Sequence, residues 1–195
     1  MRRLIIDTDT GSDDVWAIIA ALRAVDEVKV EAITVVCGNV GLDLCVKNAL
    51  IATEVANTYF PPVYRGMGRS IIKERPFEAA YVHGSDGLGE MHLPDPKHRP
   101  EKEHAIDALI RLIMDNPGEL ELITLGPLTN VALAFLKEPA IAKNVKKLWI
   151  MGGTGMDQGN ATPAAEFNVY VDPEAADIVL KAGFNATWVT WDVAR

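Results

Sequence analysis

The chain has 195 residues, of which 49% are hydrophobic and 24% are charged, and its formal net charge is -8. This length suits one domain with a sizeable core. The acidic balance and the absence of any Lys- or Arg-rich run argue against nucleic acid as a partner, and no apolar run reaches the roughly 18 residues that a membrane span needs.

Short apolar runs alternate with amphipathic stretches along the chain. The predicted strands are 4–6, 28–37, 63–64, 120–125, 145–151 and 187–191. The predicted helices are 13–25, 42–56, 105–114, 130–136 and 173–182. This alternation predicts one α/β domain over 1–195, with a Rossmann-like, mostly parallel sheet and helices on both faces.

Ligands of such sheets bind beyond the carboxyl ends of the strands, which here are 7–14, 37–39, 125–127 and 151–153. Two long connections, 66–100 and 152–172, are predicted to be loops that are either functional or disordered. The last residues are typical of a new helix with Asp192 as its N-cap.

The first strand ends in four carboxylates, those of Asp7, Asp9, Asp13 and Asp14, with no Lys or Arg among them. Like charges this close repel, and burying them is costly unless a cation or a proton neutralises them. The dipole of the following helix accounts for Asp13 and Asp14 but not for the other two. The cluster therefore predicts a metal site, and its hard oxygen ligands favour Ca²⁺ or Mg²⁺.

Cap residues follow from the same local patterns. Thr10 or Ser12 is expected to cap the first helix, Thr129 or Asn130 the helix after the fourth strand, and Asp172 the helix after 166–171.

An alternative interpretation exists for the first strand end. Asp7-Thr8-Asp9-Thr10 resembles the nucleophile loop of haloacid-dehalogenase-type phosphatases, although the expected Thr or Val is displaced by one position. Lys147 is available as the downstream lysine of that family, but no acidic pair stands at a later strand end. We keep it as a minor alternative.

Polar residues also gather near the later strand ends. Glu166 and Asn168 share one side if their segment is extended, and Asn160 precedes them. Several such residues in one chain favour a site for sugar hydroxyls over isolated turn formers. His83 opens a Gly-rich segment that lacks the Gly-Lys-Ser/Thr of a phosphate loop, and a lone loop histidine is more often solvated than catalytic.

Taken together, these motifs resemble the inosine-uridine preferring nucleoside hydrolase family. They occur in family order over nearly the whole chain: 7–14, 38–39, 83–89, 125–130, 151–153, 166–168 and 172–176. The resemblance implies hydrolysis of the N-glycosidic bond of ribonucleosides to ribose and free base, with a tightly held Ca²⁺.

The resemblance also implies roles for individual residues. Asp9 is implied to be the water-activating base and a metal contact, with Asp14 and the Leu125 carbonyl as further metal ligands. Ribose contacts are implied for Asp13, Asn39, Met151, Asn160, Glu166 and Asn168, and a place near the base for His83. Asp7 is implied to be a supporting acid.

Family members continue past residue 195 and there bring a further metal-binding Asp and a His for the leaving base. We therefore expect a fragment, a companion chain that carries the missing C-terminal part, or a variant with weakened metal binding. A ribose- or nucleoside-binding protein without turnover is the main alternative function.

Two further expectations concern the setting of the protein. Cys37 and Cys45 form neither a CxxC motif nor a disulfide framework, which favours two buried thiols in the cytoplasm. A homo-oligomer is implied by the family resemblance alone.

Overall fold

The computed structural model describes residues 1–73, 78–156 and 158–194. A six-stranded sheet runs through this part of the chain in the order β3-β2-β1-β4-β5-β6, and every neighbouring pair is parallel. The strands are β1 (Arg2–Thr8), β2 (Val28–Val35), β3 (Val63–Arg65), β4 (Leu120–Thr124), β5 (Lys147–Met151) and β6 (Ala186–Val189).

Helices occupy the connections between the strands, and a last helix follows β6. They are α1 (Ser12–Arg23), α2 (Leu42–Ala56), α3 (Ala80–His83), α4 (Ala105–Asp115), α5 (Thr129–Lys137), α6 (Ile141–Asn144), α7 (Phe167–Val171), α8 (Pro173–Lys181) and α9 (Trp191–Ala194).

Two apolar clusters cover the two faces of the sheet. Ile5 belongs to the cluster that includes residues of α4, α5 and α8, whereas Ile6 belongs to the cluster that includes residues of α1 and α2. Neighbouring residues of a strand point to opposite faces, so one buried strand feeds both clusters. The predicted architecture of a parallel sheet with helices on both faces is therefore confirmed.

The strand order reverses at β1. From there the chain proceeds outward through β2 to β3, and then returns to place β4, β5 and β6 on the other side. The first connections diverge at such a reversal, leaving a crevice beyond the carboxyl ends of β1 and β4. The crevice receives the residues that follow Thr8 and Thr124.

The predicted elements are all present, with shifted ends and some additions. Trp191 starts α9, so it is not the last residue of β6, and Asp192 lies inside that helix instead of capping it. The short helices α3 and α7 lie within the two predicted loops. Among the described residues, no helix combines the length and apolar character needed to cross a membrane.

Candidate active site

A cavity of about 270 Å³ opens at the carboxyl ends of the strands. Nine of the ten predicted site residues line it, namely Asp13, Asp14, Asn39, His83, Leu125, Met151, Asn160, Glu166 and Asn168. Residues that are up to 155 positions apart in sequence therefore meet at one place (13 to 168). The tenth, Asp9, does not line the cavity and is fully buried.

Asp9 holds its carboxylate between two glycines. Its Oδ2 accepts a hydrogen bond from the backbone amide of Asn39 at 2.8 Å. A Cβ added at Gly38 would lie 2.1 Å from Oδ2, and one added at Gly126 would lie 2.7 Å from Oδ1. Only glycine leaves room for this carboxylate at both positions, so the two following strand ends are shaped around Asp9.

The other oxygen of Asp9 is unsatisfied. Oδ1 is buried and has no hydrogen-bond partner among the described residues. Burial raises the pKa of Asp9 well above its usual range, and the nearby charge of Asp14 raises it further. A cation or a proton at this position would relieve both effects.

Asp14 turns back from the first turn of α1 toward the crevice. Its Oδ2 accepts from the Gly11 amide at 2.8 Å and from Asn39 Nδ2 at 3.3 Å. Burial raises the pKa of Asp14 to about 7, and the charge of Asp13 adds to the rise. Asn39 therefore contacts both buried carboxylates, one through its backbone and one through its side chain.

The predicted caps of α1 are wrong. Gly11 is the N-cap, and its amide is held by Asp14. Thr10 Oγ1 instead lies 3.2 Å from Thr8 Oγ1, and Ser12 Oγ lies 2.9 Å from His83 Nδ1. Each hydroxyl is engaged elsewhere, which a local pattern does not reveal.

His83 is a buried residue and not a solvated loop histidine. It ends α3, is 8% exposed, and packs against the start of α1 through Ser12. Its Nδ1 lies 3.9 Å from Asp13 Oδ1, and the Asp13 side chain is 80% exposed toward the cavity and solvent. This pair forms one wall of the cavity.

Asn168 also lines the cavity and ties two strand ends together. Its Nδ2 donates to the Leu125 carbonyl at 2.7 Å and approaches the Met151 carbonyl at 3.2 Å. The Met151 Sδ lies 3.3 Å from the same nitrogen. The segments after β4 and β5 are thus fixed by one side chain from α7.

Glu166 is the N-cap of α7, so the segment 166–168 is not extended as the shared-side argument assumed. Its carboxylate accepts from the amides of Asn168, Gly153 and Val169 at 2.9, 2.9 and 3.2 Å. Burial raises its pKa. Asn160 is similarly engaged, since its Oδ1 accepts from the Phe167 amide at 2.8 Å.

Asp7 lies beneath the crevice. Its Oδ2 accepts from Thr34 Oγ1 at 2.6 Å and from Asn130 Nδ2 at 2.9 Å. Burial raises its pKa to about 7. The Asn130 side chain therefore binds Asp7 and does not cap α5. Thr129 does not cap α5 either, because its hydroxyl donates to Asp172 at 2.6 Å. Asp172 caps α8 as predicted.

The donor atoms at this position are of the type that a hard cation such as Ca²⁺ binds. Asp9, Asp14 and the Leu125 carbonyl offer oxygens, and Asp9 Oδ1 is buried with no partner in the described part of the chain. Over the same residues, no group of three His, Cys, Asp or Glu side chains gathers as a complete metal site. Since Ca²⁺ takes 6–8 oxygen ligands, these donors form part of a coordination sphere.

Sequence reasoning missed the apolar lining of the cavity. Phe167, Trp191 and the α3 residues Tyr81 and Val82 line it beside the polar residues. Tyr81 and Val82 are 72% and 61% exposed. Trp191 follows β6, so a search extended to that last strand end would have found it.

The parallel sheet, the crevice and its buried carboxylates define an α/β protein with a polar site beyond its strand ends, and comparison with known proteins gives it a family. The family model described as "Inosine-uridine preferring nucleoside hydrolase" matches residues 4–195. The chain belongs to this family.

Individual proteins with similar sequences carry names that agree with this family. The chain is 41% identical over 188 residues to uridine nucleosidase 1 of Arabidopsis thaliana, covering 96% of this chain and 56% of that protein. It is 39% identical over 196 residues to the inosine-uridine preferring nucleoside hydrolase of Leishmania major, covering 100% of this chain and 62% of that protein. The chain thus spans less than two thirds of the length of these relatives.

A solved structure shows the same fold. The purine-preferring ribonucleoside hydrolase from Gardnerella vaginalis superposes with a TM-score of 0.94 at 34% identity, over 98% of this chain and 61% of that one. The names of these relatives differ in the preferred base, from uridine to purines.

Proposed function

We propose that this chain carries the ribose-binding and water-activating part of a Ca²⁺-dependent nucleoside hydrolase, which splits the N-glycosidic bond of ribonucleosides to ribose and free base. The observation that carries the proposal is the buried, unpartnered Oδ1 of Asp9 below a cavity lined with hydroxyl-binding groups. The family match supports a glycosidase rather than a phosphatase.

The reaction requires these residues to bind the ribose and to activate the attacking water. Cleavage of the bond develops positive charge on the ribose, as in other glycoside hydrolysis. Groups that bind the ribose hydroxyls more strongly as that charge develops accelerate the reaction. From the family resemblance we assign the 2′- and 3′-hydroxyls to Asp13, Asn39 and Asn168, which all line the cavity.

Asp9 takes the proton of the attacking water in this proposal. Its buried Oδ1 has no hydrogen-bond partner among the described residues and is the atom that would accept this proton. Asn39 and the two glycines hold the carboxylate in place. Met151 and His83 line the cavity, and we assign Met151 to the sugar and His83 to the vicinity of the base.

Asp9, Asp14 and the Leu125 carbonyl would hold the metal. When bound, Ca²⁺ lowers the pKa of water at this position and offsets the repulsion between the two carboxylates. We assign Asn160 and Glu166 to the 5′-hydroxyl. Their capacity to accept a further hydrogen bond is reduced, since Asn160 Oδ1 and both carboxylate oxygens of Glu166 already accept backbone hydrogen bonds.

Nucleoside binding without turnover is the second candidate. The observation that favours it is the absence, among the described residues, of a third acidic, His or Cys side chain at the metal position. Titration calorimetry with ribose and uridine distinguishes the two, because a binding protein would give heat of binding and intact nucleoside.

The proposal is tested by measuring base release from inosine and uridine with Ca²⁺ and with Mg²⁺, beside phosphate release from a generic phosphoester. Base release that depends on Ca²⁺ supports it. Phosphate release without base release would overturn it in favour of the haloacid-dehalogenase alternative. A homo-oligomer, a companion chain and a cytoplasmic location stay proposals, which sedimentation, intact-mass analysis and cell fractionation would test.

A further inference from the structure

We propose that Asn48 of α2 is a positioning residue that fastens the loop carrying Asp9, which leads into α1, to the loop that follows His83. This inference rests on the proposed function. Asn48 is 1% exposed and does not line the cavity, so it acts on the site only through other residues.

The side chain of Asn48 spans both loops. Its Nδ2 donates to the Thr10 carbonyl at 3.2 Å and to the Asp86 carbonyl at 3.0 Å. The first carbonyl lies next to Asp9 in sequence, and the second lies three residues after His83. Both protons of one amide are therefore spent on joining the two segments.

A second contact on the same helix supports the first. Cys45, one turn earlier, donates Sγ–H to the Asp9 carbonyl at 3.0 Å. Residues three apart on a helix share a face. That face of α2 thus supports consecutive carbonyls of the Asp9–Thr10 backbone from below.

The loop is shaped to receive this amide. Gly87 has a φ of 75°, and a Cβ added there would lie 2.7 Å from Asn48 Nδ2. The Asp86 carboxylate accepts from the amides of Leu88, Glu90 and His92 at 2.8, 3.0 and 2.9 Å, so the loop is rigid behind the bridge. Losing Asn48 would free the loop as a unit, and His83 with it.

Asn48→Ala tests the proposal, with Thr53→Ala as the matched control. Thr53 lies on the same helix and is also 1% exposed, and among the described residues its hydroxyl donates only to the Leu50 carbonyl, at 2.7 Å. In Asn48→Ala we expect amide hydrogen exchange in 84–92 to quicken about 10-fold relative to the control. Unchanged exchange in that segment would overturn the proposal, whether or not the protein turns over nucleoside.

Kinetics supply the second readout. We expect KM for the nucleoside to rise about 10-fold with a smaller change in kcat, and this rise to disappear when His83→Ala is already present. Equal effects of Asn48→Ala with and without His83 would contradict an action through that histidine. If Asn48→Ala does not fold, Gly87→Ala displaces the same contact from the loop side and is expected to give the same pattern. A wild-type protein without base release would refute the proposed function, while the exchange experiment would still decide the role of Asn48.

Discussion

Asn168 Nδ2 and the Leu125 carbonyl oxygen lie 2.7 Å apart, which joins α7 to the end of β4 across the crevice. Leu125 is one of the proposed metal ligands, and Asn168 is one of the proposed ribose contacts. The hydrogen bond therefore links the part of the site that activates water with the part that holds the sugar.

Removing this link should affect turnover more than stability. For Asn168→Ala we expect kcat/KM to fall about 100-fold, because one polar group serves both the sugar and the carbonyl. Asn185→Ala is the matched control, since Asn185 donates to the Lys146 carbonyl at 3.2 Å at the other end of the sheet. Steady-state kinetics on both variants test this, and equal activities would remove Asn168 from the site.

We expect Asp9→Asn to lower the activity of the protein and to raise its stability. We expect base release to fall by about 10³-fold, since the general base is lost. We also expect a higher Tm in the presence of a chelator, because burial and Asp14 both disfavour the ionised Asp9. Asp26→Asn, at an exposed position, serves as the control. A variant that keeps wild-type base release would show that another group activates the water.

Ca²⁺ should stabilise the protein through Asp14. A ligand present at 100 times its Kd adds about 2.7 kcal/mol to the free energy of unfolding. We expect Ca²⁺ to raise the Tm of the wild type and to leave that of Asp14→Asn unchanged. Thermal scans with Ca²⁺, Mg²⁺ and chelator measure this, and equal shifts in both proteins would place the ion elsewhere.

A carboxylate far from the crevice should govern part of the acid sensitivity. Hydrogen bonding from Arg2 is the main cause that lowers the pKa of Glu121 from 4.5 to about 2, despite its burial, and Trp149 and Lys146 also donate to it. Arg2 Nε and Trp149 Nε1 lie 3.2 and 2.9 Å from its oxygens. The ionised form thus stabilises the fold above pH 4.5, and that contribution is lost as the pH falls through about 2.

Glu121→Gln isolates this contribution. We expect it to lower the free energy of unfolding by about 2 kcal/mol at pH 7, a value reduced from the full shift because Arg2 is partly exposed. The difference from wild type should shrink as the pH falls from 4.5 to 2. Urea unfolding across that range measures it, and a difference that stays constant with pH would contradict the linkage.

The sequence was sufficient for the elements and for the residues at strand ends. The helical period predicts α2 with its observed ends, Leu42–Ala56, and the strand ends predict Asp14, Asn39 and Leu125 at one edge of the sheet, where they line one cavity. The strand-end prediction is correct because a parallel sheet brings the carboxyl ends of its strands to one edge, whatever their separation in sequence.

The remaining features depend on tertiary partners. Ser12 and Thr129 look like caps locally but are engaged by His83 and Asp172, which are distant in sequence. The helix α7 has only five residues, too few to give a periodic pattern. Asn48 is one of several polar residues in the sequence of α2, and only the folded structure shows its contact with the Asp86 carbonyl.

The most direct test of the account is the joint appearance of free ribose and free base from uridine or inosine with the purified chain and Ca²⁺. We predict equal amounts of the two products with the wild type and almost none with Asp9→Asn. Nucleoside that binds to the wild type and is recovered intact would contradict the claim that these residues carry out hydrolysis.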